Sequence, residues 1–445
     1  MANLHPFLTK LNTFNPNQTA LIYEDDKISY GELLNEVQKQ EKLLASAPKG
    51  SCVAIVGDYD LSSISFLLAN LNRQNLVAPL IETSEIGAKM QEGQIEFCFQ
   101  NGELKQVADL SAEKHQLITQ LKEKNANGLL LFSSGSTGKP KAIVHNLDIL
   151  LNSYLDKTPK QMNFLLFLMF DHIGGLNTLF NTLCLGACGI GIKDRKNIDM
   201  IAKAVQDYKI SILPASPSLL NLMLLKDVKN KFDLSSLRLI TYGTEKMPDS
   251  LLAKLKEAFK KVRFHQTFGT SEVGITQTSS SQNAIKLENI QYKIVNGELF
   301  LKSNTQALGY LNANNDAFDD DGFFATGDLV EKVDINGEEY LRILGRSKEL
   351  INIGGEKLLP QEVEGVLLQM PEVKDCLVFA EKNAITGQSV SVKIVLAEDV
   401  ALTALQLKKE IRLFCKGKLA DYKIPTKIFI VDSLAVTERF KKQRG

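Results

Sequence analysis

Neither sign of charge is in excess in this chain: lysine plus arginine and aspartate plus glutamate number 52 each among 445 residues. Dedicated nucleic-acid or membrane-surface binders need a basic excess somewhere, so that balance argues against both partners. Cysteine is sparse and scattered. Cys52, Cys98, Cys184, Cys188, Cys376 and Cys415 form no CxxC pair, and no histidine stands at zinc-ligand spacing from them. Buried free thiols are expected rather than a disulfide framework or a metal knuckle. The opening MANLHPFLTKLNTFNPNQ lacks the basic start and apolar run of a secretion signal, which makes the cytoplasm the expected location. Long hydrophobic runs are missing too. The most apolar stretch, Phe164 to Phe170, is stopped by Asp171 and His172, far short of the roughly 20 residues of a membrane span, so no membrane span is expected and the stretch reads as a buried strand. There are no repeats and no low-complexity segments.

What is present fits a sizeable enzyme of two or three folding units. Short apolar runs at Val53–Val56, Gly128–Phe132, Phe164–Met169, Ala187–Ile192, Ile210–Pro214 and Leu237–Thr241 read as strands. Asp60–Leu71, Ile198–Asp207 and Asp249–Lys260 carry helical spacing. The alternation predicts an α/β body with mostly parallel sheet. From about Lys286 the pattern turns to short strands at Ile290–Val295, Glu298–Ser303, Leu329–Val333 and Tyr340–Leu344. Asn296-Gly297 and Asn336-Gly337 are strong hairpin signals there. From about Arg346 a helix at Pro360–Gln369, strands at Cys376–Glu381 and Ser389–Leu396, and a helix at Leu405–Leu419 suffice for a separate domain of about 100 residues.

One loop stands out. Leu129 to Lys141, LLLFSSGSTGKPK, is an apolar strand running into serine, glycine and threonine and ending in two lysines. Such a loop can surround a polyphosphate: Gly135 and Gly138 let backbone N–H groups turn inward, Ser133, Ser134, Ser136 and Thr137 add hydroxyls, and Lys139 or Lys141 adds charge. It is not a Walker loop, because Pro140 stands where Ser or Thr is required. Taken alone, it would also pass for a polar surface loop.

Residues 132–141, FSSGSTGKPK, resemble the phosphate-loop signature of the adenylate-forming superfamily, which comprises acyl-CoA synthetases, peptide-synthetase adenylation domains and luciferases; Ala142 stands where a glycine is usual. Further motifs follow in that family's order. QTFGTSEVG, Gln266 to Gly274, is similar to its aromatic-G-x-[ST]-E element, which implies that Phe268 stacks on adenine, Ser271 bonds the α-phosphate and Glu272 holds Mg²⁺. A carboxylate beside phosphates needs a cation to be tolerated. Without the family, Phe268 would be core and Glu272 a solvated charge. ATGDL, Ala325 to Leu329, resembles the TGD element, with Asp328 on the ribose hydroxyls. Tyr242-Gly243-Thr244-Glu245-Lys246 looks like the strand end that packs on adenine, with Gly243 permitting close approach.

GRSKELINIGGEKLLPQEVE, Gly345 to Glu364, resembles the family's hinge, implying a second ribose contact from Arg346, a pivot at Lys348, and Gly355 beside the pantetheine arm. Near the C-terminus, LAVTERFKKQR aligns Lys441 with the lysine that bridges carboxylate and α-phosphate; Phe440 replaces a glycine, and Lys442 is an alternative. Two anions must meet there for in-line attack, which is the physical need for such a cation. MFDHIGGL, Met169 to Leu176, resembles the floor of the acyl site, with His172 gating it or touching the carboxylate; Gly174-Gly175 suggests the close approach of another group. In another register Phe170-Asp171 would mimic a Phe-Asp pair that holds an amino group.

The resemblance implies an α/β fold: a large N-terminal domain of layered α/β sheets with a distorted β portion (1–345), then a small mobile α+β lid (346–445). It implies an ATP- and Mg²⁺-dependent, AMP-forming ligase that makes an acyl-adenylate from a carboxylic acid and passes it to the thiol of coenzyme A. Two alternatives stay open: transfer to an acyl carrier protein's phosphopantetheine, and a nucleotide-binding homologue with impaired catalysis. The acid and the oligomeric state are not legible.

Overall fold

The computed structural model describes residues 4–134, 139–398 and 400–435. Two seven-stranded sheets form the body. The first runs Arg263–Gln266, Leu239–Tyr242, Ile212–Ala215, Asn163–Leu166, Cys188–Gly191 and Thr19–Tyr23 as parallel neighbours, closed at its far edge by the antiparallel strand Asp26–Ser29. The second has a parallel centre, Gly128–Ser134, Leu76–Leu80, Cys52–Val56 and Phe97–Gln100, with antiparallel strands at both margins. Helices Tyr30–Leu43, Leu61–Ala69, Leu147–Leu155 and Ile173–Cys184 fill the space between the sheets, and their buried faces join Leu21 and Leu166 of one sheet with Val53, Val77 and Leu129 of the other. The outer face of the first sheet is covered by Ile198–Asp207, Pro217–Leu225 and Asp249–Ala258. Burial on both faces explains why central strands such as Cys52–Val56 and Ile212–Ala215 read as unbroken apolar runs.

Local chemistry sets the helix starts. Asp60 accepts from the Ser63 N–H at 2.9 Å, and Asn197 accepts from the Met200 N–H at 3.2 Å. Ser29 with Glu32 and Thr403 with Gln406 make reciprocal capping boxes. The expected helix at Asp60–Leu71 is α-helical only to Ala69, then tightens into a 3₁₀ turn, and the expected strand at Phe164–Met169 ends at Leu166.

A third seven-stranded sheet, wholly antiparallel, is the distorted β portion: Phe268–Thr270, Gly274–Ser281, Ala284–Glu288, Glu338–Arg346, Phe324–Ile335, Glu298–Lys302 and Gln291–Val295. Both Asn-Gly turns are there with positive φ at each residue, +50° and +81° at Asn296-Gly297 and +56° and +82° at Asn336-Gly337. The strands of the second hairpin, Phe324–Ile335 and Glu338–Arg346, are longer than their apolar cores suggested, because pairing continues through the polar residues to Asp328 and Arg346.

Beyond it, helices Pro360–Leu367 and Ala404–Cys415 pack on the sheet Val373–Asn383, Gly387–Leu396 and Lys427–Ile430 around their own core. All six cysteines are buried and free, as expected. Among the described residues no helix is long and apolar enough to cross a membrane.

Candidate active site

A cavity of about 560 Å³ opens where the first sheet, the hairpin of the second, the antiparallel sheet and helix Pro360–Leu367 meet. Four adjacent parallel strands send their C-terminal ends to it: Asn163–Leu166 leads to His172, Ile212–Ala215 to Pro217 and Ser218, Leu239–Tyr242 to Gly243–Lys246, and Arg263–Gln266 to Thr267 and Phe268. Open α/β sheets bind ligands at that end because successive loops leave a crevice there. Ser133, Lys141, Ser271, Glu272, Asp328 and Arg346 line the same space. Segments separated by more than 200 residues thus converge on one site.

Ser133 and Lys141 face each other as cross-strand partners of the antiparallel pair Gly128–Ser134 and Pro140–Asn146. The phosphate-type loop therefore joins two strands rather than a strand and a helix. Gly135, Ser136, Thr137 and Gly138 lie outside the described residues, and Ser134 is described by its backbone pairing with Pro140. Lys139 is exposed, its ammonium 3.5 Å from Glu92, and does not line the cavity; Lys141 does. Of the two lysines, Lys141 is the one that lines the cavity.

Asp328 and Arg346 are register partners on neighbouring strands, and the arginine Nε sits 2.7 Å from the buried aspartate's Oδ1. Arg346 also donates to the Thr326 carbonyl at 3.3 Å, and the Thr326 hydroxyl accepts from the Asp328 N–H at 3.1 Å. Eighteen residues apart in sequence, the two form one rigid acidic and basic edge.

The Ser271-Glu272 turn is held by residues that sequence reasoning missed. His145, fully buried on the strand after the phosphate loop, places Nε2 2.7 Å from the Ser271 carbonyl and Nδ1 3.4 Å from that of Thr305. Burial pushes its imidazole below the ordinary histidine range, more than the two carbonyls raise it. Tyr310 donates its hydroxyl to Glu272 Oε1 at 3.1 Å, and Lys141 Nζ lies 5.4 Å from the centre of the tyrosine ring. No motif marked either residue; cross-strand pairing of Gly309–Tyr310 with Ile143 and Val144 delivers them.

His172 lines the cavity and caps helix Ile173–Cys184, its Nδ1 accepting the Gly174 N–H at 3.0 Å. The glycines after it answer to the protein's own packing rather than to another group. A Cβ on Gly175 would lie 2.1 Å from the Met169 carbonyl oxygen and 2.4 Å from the Tyr59 hydroxyl, so the approach is intramolecular. Asp171 is buried beside Lys89, 3.5 Å away, and does not line the cavity, which removes the Phe170-Asp171 register as an amino-group holder. Breaking such a buried pair costs about 3–5 kcal/mol.

Gly243 likewise makes room for Thr267, whose hydroxyl and carbonyl a Cβ there would meet at 2.8 and 2.9 Å. The next residue, Thr244, holds φ at +70°, a β-branched side chain in the left-handed region. Strain of about 1–3 kcal/mol at a cavity wall is the kind that binding sites retain. Lys246 completes that wall, and burial pulls its ammonium below the usual lysine range. Phe268 is half-buried on its strand and borders the cavity.

Lys348 reaches the cavity, as do Gln361, Glu364 and Leu368 from the C-terminal unit. Gly355 does not: it is exposed on the turn between Ile351–Ile353 and Glu356–Leu358, with φ at +97°. Lys441 and Phe440 lie outside the described residues.

The residues suit a magnesium ion brought in by a nucleotide. Among the described residues no group of three or more His, Cys, Asp or Glu could hold a metal by itself. Mg²⁺ commonly takes only one or two carboxylates plus substrate phosphates, and Glu272 offers a carboxylate with acceptor capacity beyond its bond to Tyr310.

The chain is 25% identical to the 2-succinylbenzoate–CoA ligase of Bacillus subtilis, covering 94% of this chain and 92% of the relative, and 27% identical to that of Listeria monocytogenes, covering 99% and 98%. Its fold matches a crystal structure of the anthranilate CoA ligase AuaEII in complex with anthranoyl-AMP, with a TM-score of 0.81 at 21% identity over 98% of this chain and 95% of the other. It also matches o-succinylbenzoate CoA synthetase from Bacillus subtilis with its acyl-adenylate intermediate, with a TM-score of 0.76 at 24% identity over 99% and 97%. Residues 60–311 match the model of the AMP-binding enzymes and residues 362–441 that of their C-terminal domain; the chain belongs to the AMP-binding enzyme family.

Proposed function

We propose that this AMP-forming acid–thiol ligase activates an aromatic carboxylic acid with ATP and transfers the acyl group to coenzyme A. The observation that carries the reading is the convergence of Ser133, Lys141, His172, Phe268, Ser271, Glu272, Asp328 and Arg346 on one cavity. The aromatic class is supported by relatives named for 2-succinylbenzoate and 4-coumarate and by the likeness to an anthranilate ligase; coenzyme A is the acceptor in those names.

In this reading Phe268 and the Gly243–Lys246 wall hold adenine, Asp328 and Arg346 hold the ribose, and Ser271 meets the α-phosphate. Ser133, Ser134, Gly135, Ser136, Thr137, Gly138 and Lys141 surround the β- and γ-phosphates, which leave as pyrophosphate. Magnesium, when bound at Glu272, neutralises phosphate charge. His172 stands at the mouth of the acyl site. Lys441 bridges the attacking carboxylate and the α-phosphorus, where negative charge grows. The lid, 346–445, then turns about Lys348, withdraws Lys441, and brings Gly355 toward the incoming pantetheine thiol. A separate lid core from Ile351 to Leu419 supports movement as a unit.

The test is acid-dependent exchange of pyrophosphate into ATP across a panel with 2-succinylbenzoate, anthranilate, 4-coumarate, 2,3-dihydroxybenzoate and aliphatic controls. Exchange with an aromatic member, followed by AMP release on adding coenzyme A but not a carrier protein, is expected. Exchange with aliphatic acids alone would overturn the substrate class; silence across the panel would favour a homologue with impaired catalysis. Lys441→Ala should abolish exchange while acyl-AMP is still consumed by thiol; equal loss of both would remove Lys441 from its role.

A further inference from the structure

Lys141 and Glu272 carry opposite charges into the same cavity, yet among the described residues they are joined through an aromatic ring. The ammonium of Lys141 lies against the ring of Tyr310, 5.4 Å from its centre, and the Tyr310 hydroxyl donates to Glu272 Oε1 at 3.1 Å. We propose that Tyr310 is a positioning residue that keeps Lys141 and Glu272 oriented but apart, so that neither charge is spent on the other before a magnesium–polyphosphate arrives. The proposal rests on the assignment of those two residues to the nucleotide.

The physical case has three parts. A cation on the face of a phenol ring keeps its own hydrogen-bond donors free, whereas a direct lysine–glutamate pair would have to be broken to admit phosphate and metal. A hydroxyl is a weak enough partner for a carboxylate to leave acceptor capacity for a cation. The ring is packed in place: Tyr310 is buried, it sits on the short strand Gly309–Tyr310 paired to Ile143 and Val144, and it lies 6.3 Å from the ring of Phe318. His145 bonds the Ser271 carbonyl on the other side of the same turn, beside the backbone of Glu272.

Two substitutions separate the roles of ring and hydroxyl. Tyr310→Phe keeps the ring under Lys141 and removes the bond to Glu272; Tyr310→Leu removes both. Calorimetric titration of the full chain with ATP, once with Mg²⁺ and once with EDTA, gives the readout without needing the acid. Tyr310→Phe is expected to weaken magnesium–ATP binding about tenfold while metal-free ATP changes less than about twofold, since Glu272 acts through the cation. Tyr310→Leu is expected to weaken both forms, metal-free ATP by about tenfold, because Lys141 is then released toward Glu272. Unchanged magnesium–ATP binding by Tyr310→Phe, or an equal loss with and without the metal, would overturn the proposal. Wild-type chain that binds magnesium–ATP but exchanges no pyrophosphate with any acid would overturn the proposed function and leave the role of Tyr310 standing.

Discussion

The two ends of the cavity manage charge in opposite ways. At one end Arg346 and Asp328 form a direct pair at 2.7 Å, built into the register of two long strands; at the other Lys141 and Glu272 meet only through Tyr310. A pair already made is a fixed edge, suited to presenting donors and acceptors to neutral hydroxyls. Charges held apart suit a ligand that is itself charged, because little must be broken when it binds. The first end is assembled by local strand pairing. The second needs three separate segments.

The contrast can be broken at either end. Glu272→Gln, at the phosphate end, should cause the largest loss, about 10²–10³-fold in pyrophosphate exchange, with a steeper requirement for added Mg²⁺. A variant whose magnesium dependence matches wild type would show that Glu272 does not serve the metal. Asp328→Asn should come next. It removes the negative charge opposite Arg346 and should raise KM for ATP about 10–100-fold while KM for the acid holds steady. A parallel rise in both constants would place the damage in the fold rather than at the ribose. Arg346→Lys keeps the charge and loses the guanidinium fork, so a rise in KM for ATP of up to about tenfold is expected. A loss as large as that of Asp328→Asn would mean that the pair acts as one indivisible unit.

The smallest expected effect concerns His145, which braces Ser271. Burial holds its folded-state pKa below the ordinary 6.5. Between that depressed value and about 6.5 the unfolded chain binds a proton that the folded chain refuses, so stability falls as pH drops through this window and is fully present above it. Thermal melting between pH 7.5 and 5 should therefore fall less steeply for His145→Asn than for wild type, whatever the offset between the two curves. Parallel slopes would show that His145 does not titrate in this way.

Much of the body was legible because its strands are buried on both faces and its helices begin at side chains that cap them. Helix Ile198–Asp207 and the two Asn-Gly hairpins stand where the sequence pattern placed them. Strand ends were less so: pairing extends Phe324–Ile335 through polar residues, while Phe164–Met169 stops early despite its hydrophobicity. Within the site, residues inside contiguous motifs could be found, as Glu272 and Asp328 were. His145 and Tyr310 could not, since an isolated histidine or tyrosine carries no periodic or spacing signal. Gly174 and Gly175 were legible as sites of close approach, but the group that approaches belongs to the chain itself.

The sequence by itself determined the family, the order of the phosphate-type loop, the Ser271-Glu272 element and the Asp328 turn, and the layered α/β character, because these reside in contiguous residues and short periodicities. The tertiary structure alone decided that Lys141 rather than Lys139 faces the cavity, that Asp171 is turned inward to Lys89, and that a tyrosine lies between Lys141 and Glu272. Those choices depend on register and on which strand ends meet across the cavity, and such distances in space have no counterpart in distances along the chain.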